Sequence, residues 1–136
     1  MKSKKVILDT NLWISYLISK RLDFLDDLIQ NGEIMLIFSR ELVDEFLTVA
    51  NRPKFRKYFT ENNVTNLLRL FDKYGKLIEV SSHIEQCRDY KDNFLLSLAV
   101  DSKADYLITG DDDLLLIKKI KKTKIITWSE FLEEVR

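Results

Sequence analysis

The chain of 136 residues has one cysteine, one histidine, one proline and three glycines. A single thiol, Cys87, excludes an intramolecular disulfide and a cysteine-rich zinc centre, and suits a reducing compartment. A single imidazole, His83, allows a histidine-based triad only if that residue is its base; a structural role is the expectation. Scarce proline and glycine argue against disorder and long loops. Charge of either sign is not in excess: 22 basic and 22 acidic residues cancel, so attraction for a polyanion would have to come from uneven distribution. Long hydrophobic runs are also missing. Lys2, Lys4 and Lys5 precede Val6-Ile7-Leu8, but the run stops at Asp9, short of the roughly 7–15 residues of a signal-peptide core. No window approaches the roughly 20 apolar residues of a membrane span. The expectation is one cytoplasmic domain over residues 1–136, away from membranes, long enough to bury about two-thirds of its unfolded surface without staples.

What the chain does have is acids where strands should end. Val6-Ile7-Leu8 runs into Asp9-Thr10-Asn11, and Tyr106-Leu107-Ile108 runs into Thr109-Gly110-Asp111-Asp112-Asp113. Short apolar runs that break at a carboxylate read as buried parallel strands. They deliver acids to the rim beyond the strand carboxyl ends, where open α/β sheets bind ligands. Acids gathered there repel one another unless a cation sits among them.

The periodicity predicts alternating strands and helices. Strands are expected at Lys5–Leu8, Ile34–Phe38, Leu77–Val80, Tyr106–Ile108 and Ile125–Thr127. Thr10 is expected to cap a first helix carrying Leu12, Trp13, Tyr16 and Leu17, with a second over Leu22–Gln30 that Asn31-Gly32 ends. Ser39 should cap a helix reaching Asn51, where Arg52-Pro53 breaks it. Thr60 should cap a helix to Tyr74, stopped by Gly75. Ser81 to Lys91 reads as a polar loop. Helices are further expected over Asp92–Lys103 and Leu114–Ile117, and a last one, capped by Ser129, to Val135. Alternation of this kind means an α/β fold with a mainly parallel five-stranded sheet flanked by helices. The order 3-2-1-4-5 is expected, which makes the first and fourth strands neighbours and sets Asp9 beside Asp111.

Each acid also has an ordinary reading. Asp9 could simply cap or face solvent. The triplet at 111–113 could make a turn; Asp111 is nearest the strand end, a short helix could turn Asp113 back to the same place, and Asp112 should face water. Asp44 and Glu45 flank the apolar face of their helix on opposite sides, and helical geometry does not choose between them. Asp92 at a helix start could be an N-cap. Hard divalent cations take oxygen ligands. With no Cys/His cluster, several carboxylates suit hydrolysis of a phosphodiester.

In their order and spacing these residues resemble the PIN-domain family, specifically the VapC-like ribonuclease toxins of toxin–antitoxin pairs, over nearly the whole chain. The resemblance lies in Val6 to Asn11, in Ser39 to Phe46 followed by Asn51-Arg52-Pro53-Lys54-Phe55, in Asp89-Tyr90-Lys91-Asp92-Asn93 with Leu96 and Ala99, and in Thr109 to Leu115. The polar stretch before Asp92 is longer than in shorter toxins of this kind and goes with the Arg-Pro-Lys-Phe element. The resemblance implies a three-layer PIN-like fold with the same strand order. It implies an endoribonuclease that uses Mg²⁺ or Mn²⁺, held by Asp9, Glu45, Asp92 and Asp111 with Asp113 as a fifth acid, and it chooses Glu45 over Asp44. Asn11 and Thr109 fall where the family has supporting polar groups. A cognate antitoxin and a homodimer are implied partners, with RNA as substrate.

Arg52, Lys54, Arg56 and Lys57 surround Phe55, Tyr58 and Phe59, and a second basic run joins Lys118, Lys119, Lys121, Lys122 and Lys124. Either could hold a phosphate backbone, and either could be a solvated face over packed aromatics. Two other functions compete. One is a non-catalytic PIN-like module that binds RNA or protein. The other is an aspartyl-phosphate-type phosphatase, weakened because Asp9-Thr10-Asn11 lacks the second acid two residues on. A flap-type DNA nuclease on the same fold is disfavoured by the chain's small size. The RNA target is not legible in the residues.

Overall fold

Strand β1 (Lys4–Leu8) lies at the centre of the sheet and is buried on both faces from Val6 onward. In this computed structural model the described residues are 3–19, 23–57, 65, 69, 75–84 and 92–135, without the side chains of 16–19 and 23–26. The expected helix over Thr60–Tyr74, the residues Tyr58, Phe59 and Cys87, most of the Ser81–Lys91 loop, and the side chains of Tyr16, Leu17, Phe24 and Leu25 therefore lie outside what is described.

After β1 come α1 (Thr10–Ser19), α2 (Asp23–Gln30), β2 (Ile34–Phe38), α3 (Arg40–Ala50) and a 3₁₀ turn (Pro53–Phe55). Then follow β3 (Gly75–Leu77), α4 (Asn93–Ser102), β4 (Tyr106–Ile108), α5 (Asp112–Leu115), β5 (Lys119–Ile120), β6 (Thr123–Ile126) and α6 (Trp128–Val135). The sheet order is β3-β2-β1-β4-β6-β5, and every pairing is parallel except β5 with β6. The architecture is thus the expected α/β class with a mainly parallel sheet between helical layers.

The order 3-2-1-4-5 needs one correction: the described residues form six strands. The expected fifth strand is β6, and the added Lys119–Ile120 pairs antiparallel on its outer edge. Two residues carry no readable period, so this strand had no signal in the sequence. The third strand is Gly75–Leu77 instead of the expected Leu77–Val80, because pairing with β2 runs from Gly75 opposite Leu36 to Leu77 opposite Phe38. Gly75 thus opens a strand, and the helix it was expected to stop lies outside the described residues.

Side-chain alternation along the central strands builds two cores. Val6, Leu8, Leu36, Ile108 and Ile126 face Trp13, Phe46 and Phe131 on one side of the sheet. Ile7, Ile37, Leu107 and Ile125 face Leu42, Leu98 and Leu114 on the other. A strand buried on both faces has no polar alternation, hence the uninterrupted Val6-Ile7-Leu8. Helix α4 is buried from Leu95 through Ala99 without a break, not along one face alone.

Helix starts explain the remaining differences. Asp9, not Thr10, caps α1: its Oδ1 accepts from the Leu12 N–H at 2.9 Å and its carbonyl from the Trp13 N–H. Ser39 caps α3 as expected, accepting from the Leu42 N–H at 3.2 Å. Thr127, not Ser129, caps α6, with Glu130 accepting in return from the Thr127 N–H and hydroxyl. Asp111 starts α5 at Asp112, earlier than the expected Leu114.

Candidate active site

The β1–β4 ladder brings the first two acids together. Leu8 pairs with Ile108, and the Asp9 N–H donates onward to the Ile108 carbonyl at 3.2 Å. Asp9 and Thr109 therefore leave the sheet side by side. The Thr109 hydroxyl donates to Asp9 Oδ2 and accepts from the Asp111 N–H at 3.0 Å, so one buried hydroxyl ties both strand ends together. Asp111 turns its Oδ1 onto the Asp113 N–H at 2.8 Å and the Leu114 N–H at 3.4 Å. Asp113 is half-buried in the first turn of α5, and Asp112 is exposed, as expected.

Asp9 is only 6% exposed. Burial pushes its carboxyl above the ordinary value of 3.8; hydrogen bonds from Thr109, Leu12 and Gly110 pull the other way, and the charge of Asp111 adds to the rise. Glu45, half-buried on α3, is also raised above its ordinary 4.5, by burial first and by the charge of Asp9, against a lowering by the Thr10 hydroxyl and by Arg52. Asp44 is exposed, so the structure places Glu45 and not Asp44 against the strand-end acids. Thr10 Oγ1 lies near enough to Glu45 to act on it but completes no hydrogen bond of normal geometry. It is the buried side-chain oxygen without a partner among the described residues.

Asp92 stands at the N-cap position of α4, half-buried, and does not cap that helix with its side chain. The far end of α4 is fixed by Lys5 Nζ, which donates to the Ser102 carbonyl at the start of β1. Ten helical residues rise about 15 Å, about the length of β1, so the start of α4, where Asp92 stands, lies toward the carboxyl end of the sheet. Asn11 is exposed and makes no side-chain hydrogen bond among the described residues, unlike Thr109. The sequence marks Thr10 as a helix cap and does not reveal its place beside Glu45, because a threonine after a strand carries the same signal in both roles.

The donor set suits a hard cation by its chemistry. Asp9 and Glu45 resist carrying charge where they sit, both are coupled to a neighbouring carboxylate, and an orphaned hydroxyl lies beside Glu45. Among the described residues no three acids already converge on one point, so the set is not a preformed cage. Arg52 reaches Glu45 electrostatically from the end of α3. Beyond it Lys54 Nζ lies 4.9 Å from the centre of the Phe55 ring, and Arg56 donates to the Asn51 carbonyl at 3.4 Å. Phe55 packs against the core, so it is not free to stack on a base.

The chain matches the family model described as PIN domain over residues 5–113. It is 33% identical to the uncharacterized protein MJ1680 of Methanocaldococcus jannaschii, with 96% of this chain and 90% of that protein covered. In fold it is similar to VapBC2 from Rickettsia felis bound to a promoter DNA fragment, with TM-score 0.58, 18% identity and coverage of 91% and 98% of the two chains. It is equally similar to PAE2754 from Pyrobaculum aerophilum, at 0.58, 16% identity and coverage of 98% and 90%. The human SMG5 PIN domain matches at 0.54, with 15% identity and coverage of 97% and 99%.

Proposed function

The chain belongs to the PIN domain family, and on that premise we propose that it is an endoribonuclease that uses Mg²⁺ or Mn²⁺ and serves as the toxin of a toxin–antitoxin pair. PIN domains are typically nucleases with divalent ions. The observation that carries the reading is the buried Asp9 carboxylate, joined through Thr109 to Asp111 and coupled to Glu45. The likeness to VapBC2 supports an antitoxin partner and a dimer. No described helix is long and apolar enough to cross a membrane.

Asp9, Glu45 and Asp111 would hold the ion, with Asp92 and Asp113 completing the rim. When bound, the ion supplies an acidified water and positive charge against the phosphate. The chain's own residues do the rest. Thr109 fixes Asp9 Oδ2 and the Asp111 backbone together, so the two acids keep their relative orientation. Asp111 Oδ1 is committed to the start of α5, which leaves Oδ2 for the site. Glu45, half-buried beside Asp9, would complete the ion's ligands, and a carboxylate of the rim would take the proton that an attacking water loses. In-line attack then breaks the bond to the 3′ oxygen and leaves 5′-phosphate and 3′-hydroxyl ends. Arg52, with Lys54, Arg56 and Lys57 beyond it, would hold the RNA backbone next to Glu45.

Total RNA incubated with Mn²⁺, wild type against Asp9→Asn with the cut sites mapped, tests the proposal. Cleavage by wild type alone is expected; undiminished cleavage by Asp9→Asn would sink it. The lack of a converged three-acid cluster among the described residues favours a second reading, a non-catalytic PIN-like binding module. Calorimetric titration with Mn²⁺ separates the two, since that module takes up no ion.

A further inference from the structure

A cleft of about 510 Å³ opens between the end of α5, the β5–β6 hairpin and α6, bordered by Lys118, Lys119, Lys124, Glu130 and Glu134 over Leu115 and Ile125. The chain is neutral as a whole, yet the segment from Lys118 to Lys124, which supplies three of the cleft's lysines and carries Lys121 and Lys122 between them, holds no acid. Two are neutralised: Lys122 pairs with Asp105 at 3.6 Å and Lys124 with Glu134 at 2.8 Å. Glu130 is committed to Thr127. Lys118, Lys119 and Lys121 are exposed and have no ion pair or side-chain hydrogen bond among the described residues.

The arrangement works against the fold. Lys118 and Lys121 sit in the left-handed region, at φ 67° and 52°, where glycine or asparagine is at ease and lysine is not. Lys119 is directly opposite Lys124 in the antiparallel register, a like-charge pair. A lysine on an edge strand can blunt unwanted pairing. That accounts for Lys119 in β5, but not for Lys118 and Lys121 in the turns on either side. Residues that break local rules with no local compensation point to function.

We propose that the β5–β6 hairpin is a ledge for the phosphodiester backbone of single-stranded RNA, on the Asp111 side of the scissile bond; this rests on the nuclease reading above. The uncompensated ammonium groups are complementary to a phosphate chain and offer nothing that reads a base. The ledge starts where α5 ends, and α5 starts at Asp112; four helical residues rise about 6 Å, so a strand lying at Asp111 reaches the lysines within a few nucleotides.

The test measures binding of a fluorescent oligouridine to Asp9→Asn protein in EDTA across a salt series, so that no cleavage intervenes. Lys118→Gly and Lys121→Gly are then added, with Lys119→Thr. Removing one ammonium–phosphate pairing lowers the slope of log K against log salt by about 0.7 for a single strand, so the triple variant should lose about 2 and bind at least about tenfold more weakly. The glycines also relieve the left-handed backbone, so Tm should hold or rise, and misfolding cannot imitate the effect. An unchanged slope overturns the ledge. So does a variant that keeps RNA affinity but loses a polyglutamate peptide, which would make the partner an acidic protein. If wild type does not cut RNA with Mn²⁺ and the slope still falls, the nuclease reading and the ledge's place beside a scissile bond fail while the hairpin's hold on an RNA backbone stands; intact cleavage with an unchanged slope sinks the ledge alone.

Discussion

Asp9 and Asp101 are each wrapped in hydrogen-bond donors, yet their proton affinities move in opposite directions. Asp9 accepts from Leu12, Thr109 and Gly110 and is raised because burial outweighs them. Asp101, near the end of α4, accepts from the Ser81 and Ser82 N–H groups at 2.6 and 2.9 Å and from both hydroxyls. It is lowered, first by the Ser82 hydroxyl, because water still solvates it. Donors alone do not make a site for negative charge; the surrounding medium decides the sign. Asp101 is a satisfied anion that pins the segment after β3 onto α4. Asp9 is an anion held at a cost, which a cation would offset.

The largest expected effect breaks that comparison at Asp9. Asp9→Asn should lower RNA cleavage by at least about a thousandfold, roughly 4 kcal/mol of barrier, and at the same time hold or raise Tm, because it removes a buried charge. A loss of both activity and stability would mean that Asp9 is structural like Asp101. Next in size is the response to metal. Mn²⁺ at about 100 times its dissociation constant should stabilise wild type by about 2.7 kcal/mol, and Asp9→Asn by far less, read by thermal denaturation with and without EDTA.

The two aspartates should also give opposite pH dependences. Folded Asp9 and Glu45 bind protons more tightly than when unfolded, so without metal they erode stability as pH rises past their ordinary 3.8 and 4.5, and the loss persists above. Folded Asp101 binds its proton less tightly, so its contribution is present above 3.8 and disappears as pH falls through its lowered value. Asp101→Ala should therefore cost about 1 kcal/mol at neutral pH, discounted for its exposure, nothing in strong acid, and leave cleavage unaltered. Denaturant melts of wild type and variant at both pH values check this. The smallest effect sharpens the choice on α3: Asp44→Asn should change cleavage less than about twofold, an exposed substitution within about 0.5 kcal/mol, whereas Glu45→Gln should depress it strongly.

The acid-bearing strand ends are legible in the sequence because a strand buried on both faces leaves an uninterrupted apolar run, and the residue that breaks it stands out. Asp9, Asp111 and the mainly parallel sheet followed from that signal, and right-handed crossovers left few orders for the central strands. The local sequence could not choose between Asp44 and Glu45. A helix turns about 100° per residue, so both flank its apolar face, and only packing of α3 against Thr10 and Asp9 puts Glu45 at the site and Asp44 in water. It could not show that Thr10 is an orphaned buried hydroxyl, since Asp9 takes the capping role that either could fill. Nor could it reveal β5, whose two residues pair only because the hairpin backbone enters the left-handed region at Lys118 and Lys121. Strand and helix periods are short-range and are written in the chain itself. Which carboxylate loses its water, and which lysine keeps its own, depends on residues brought together from distant parts of the chain.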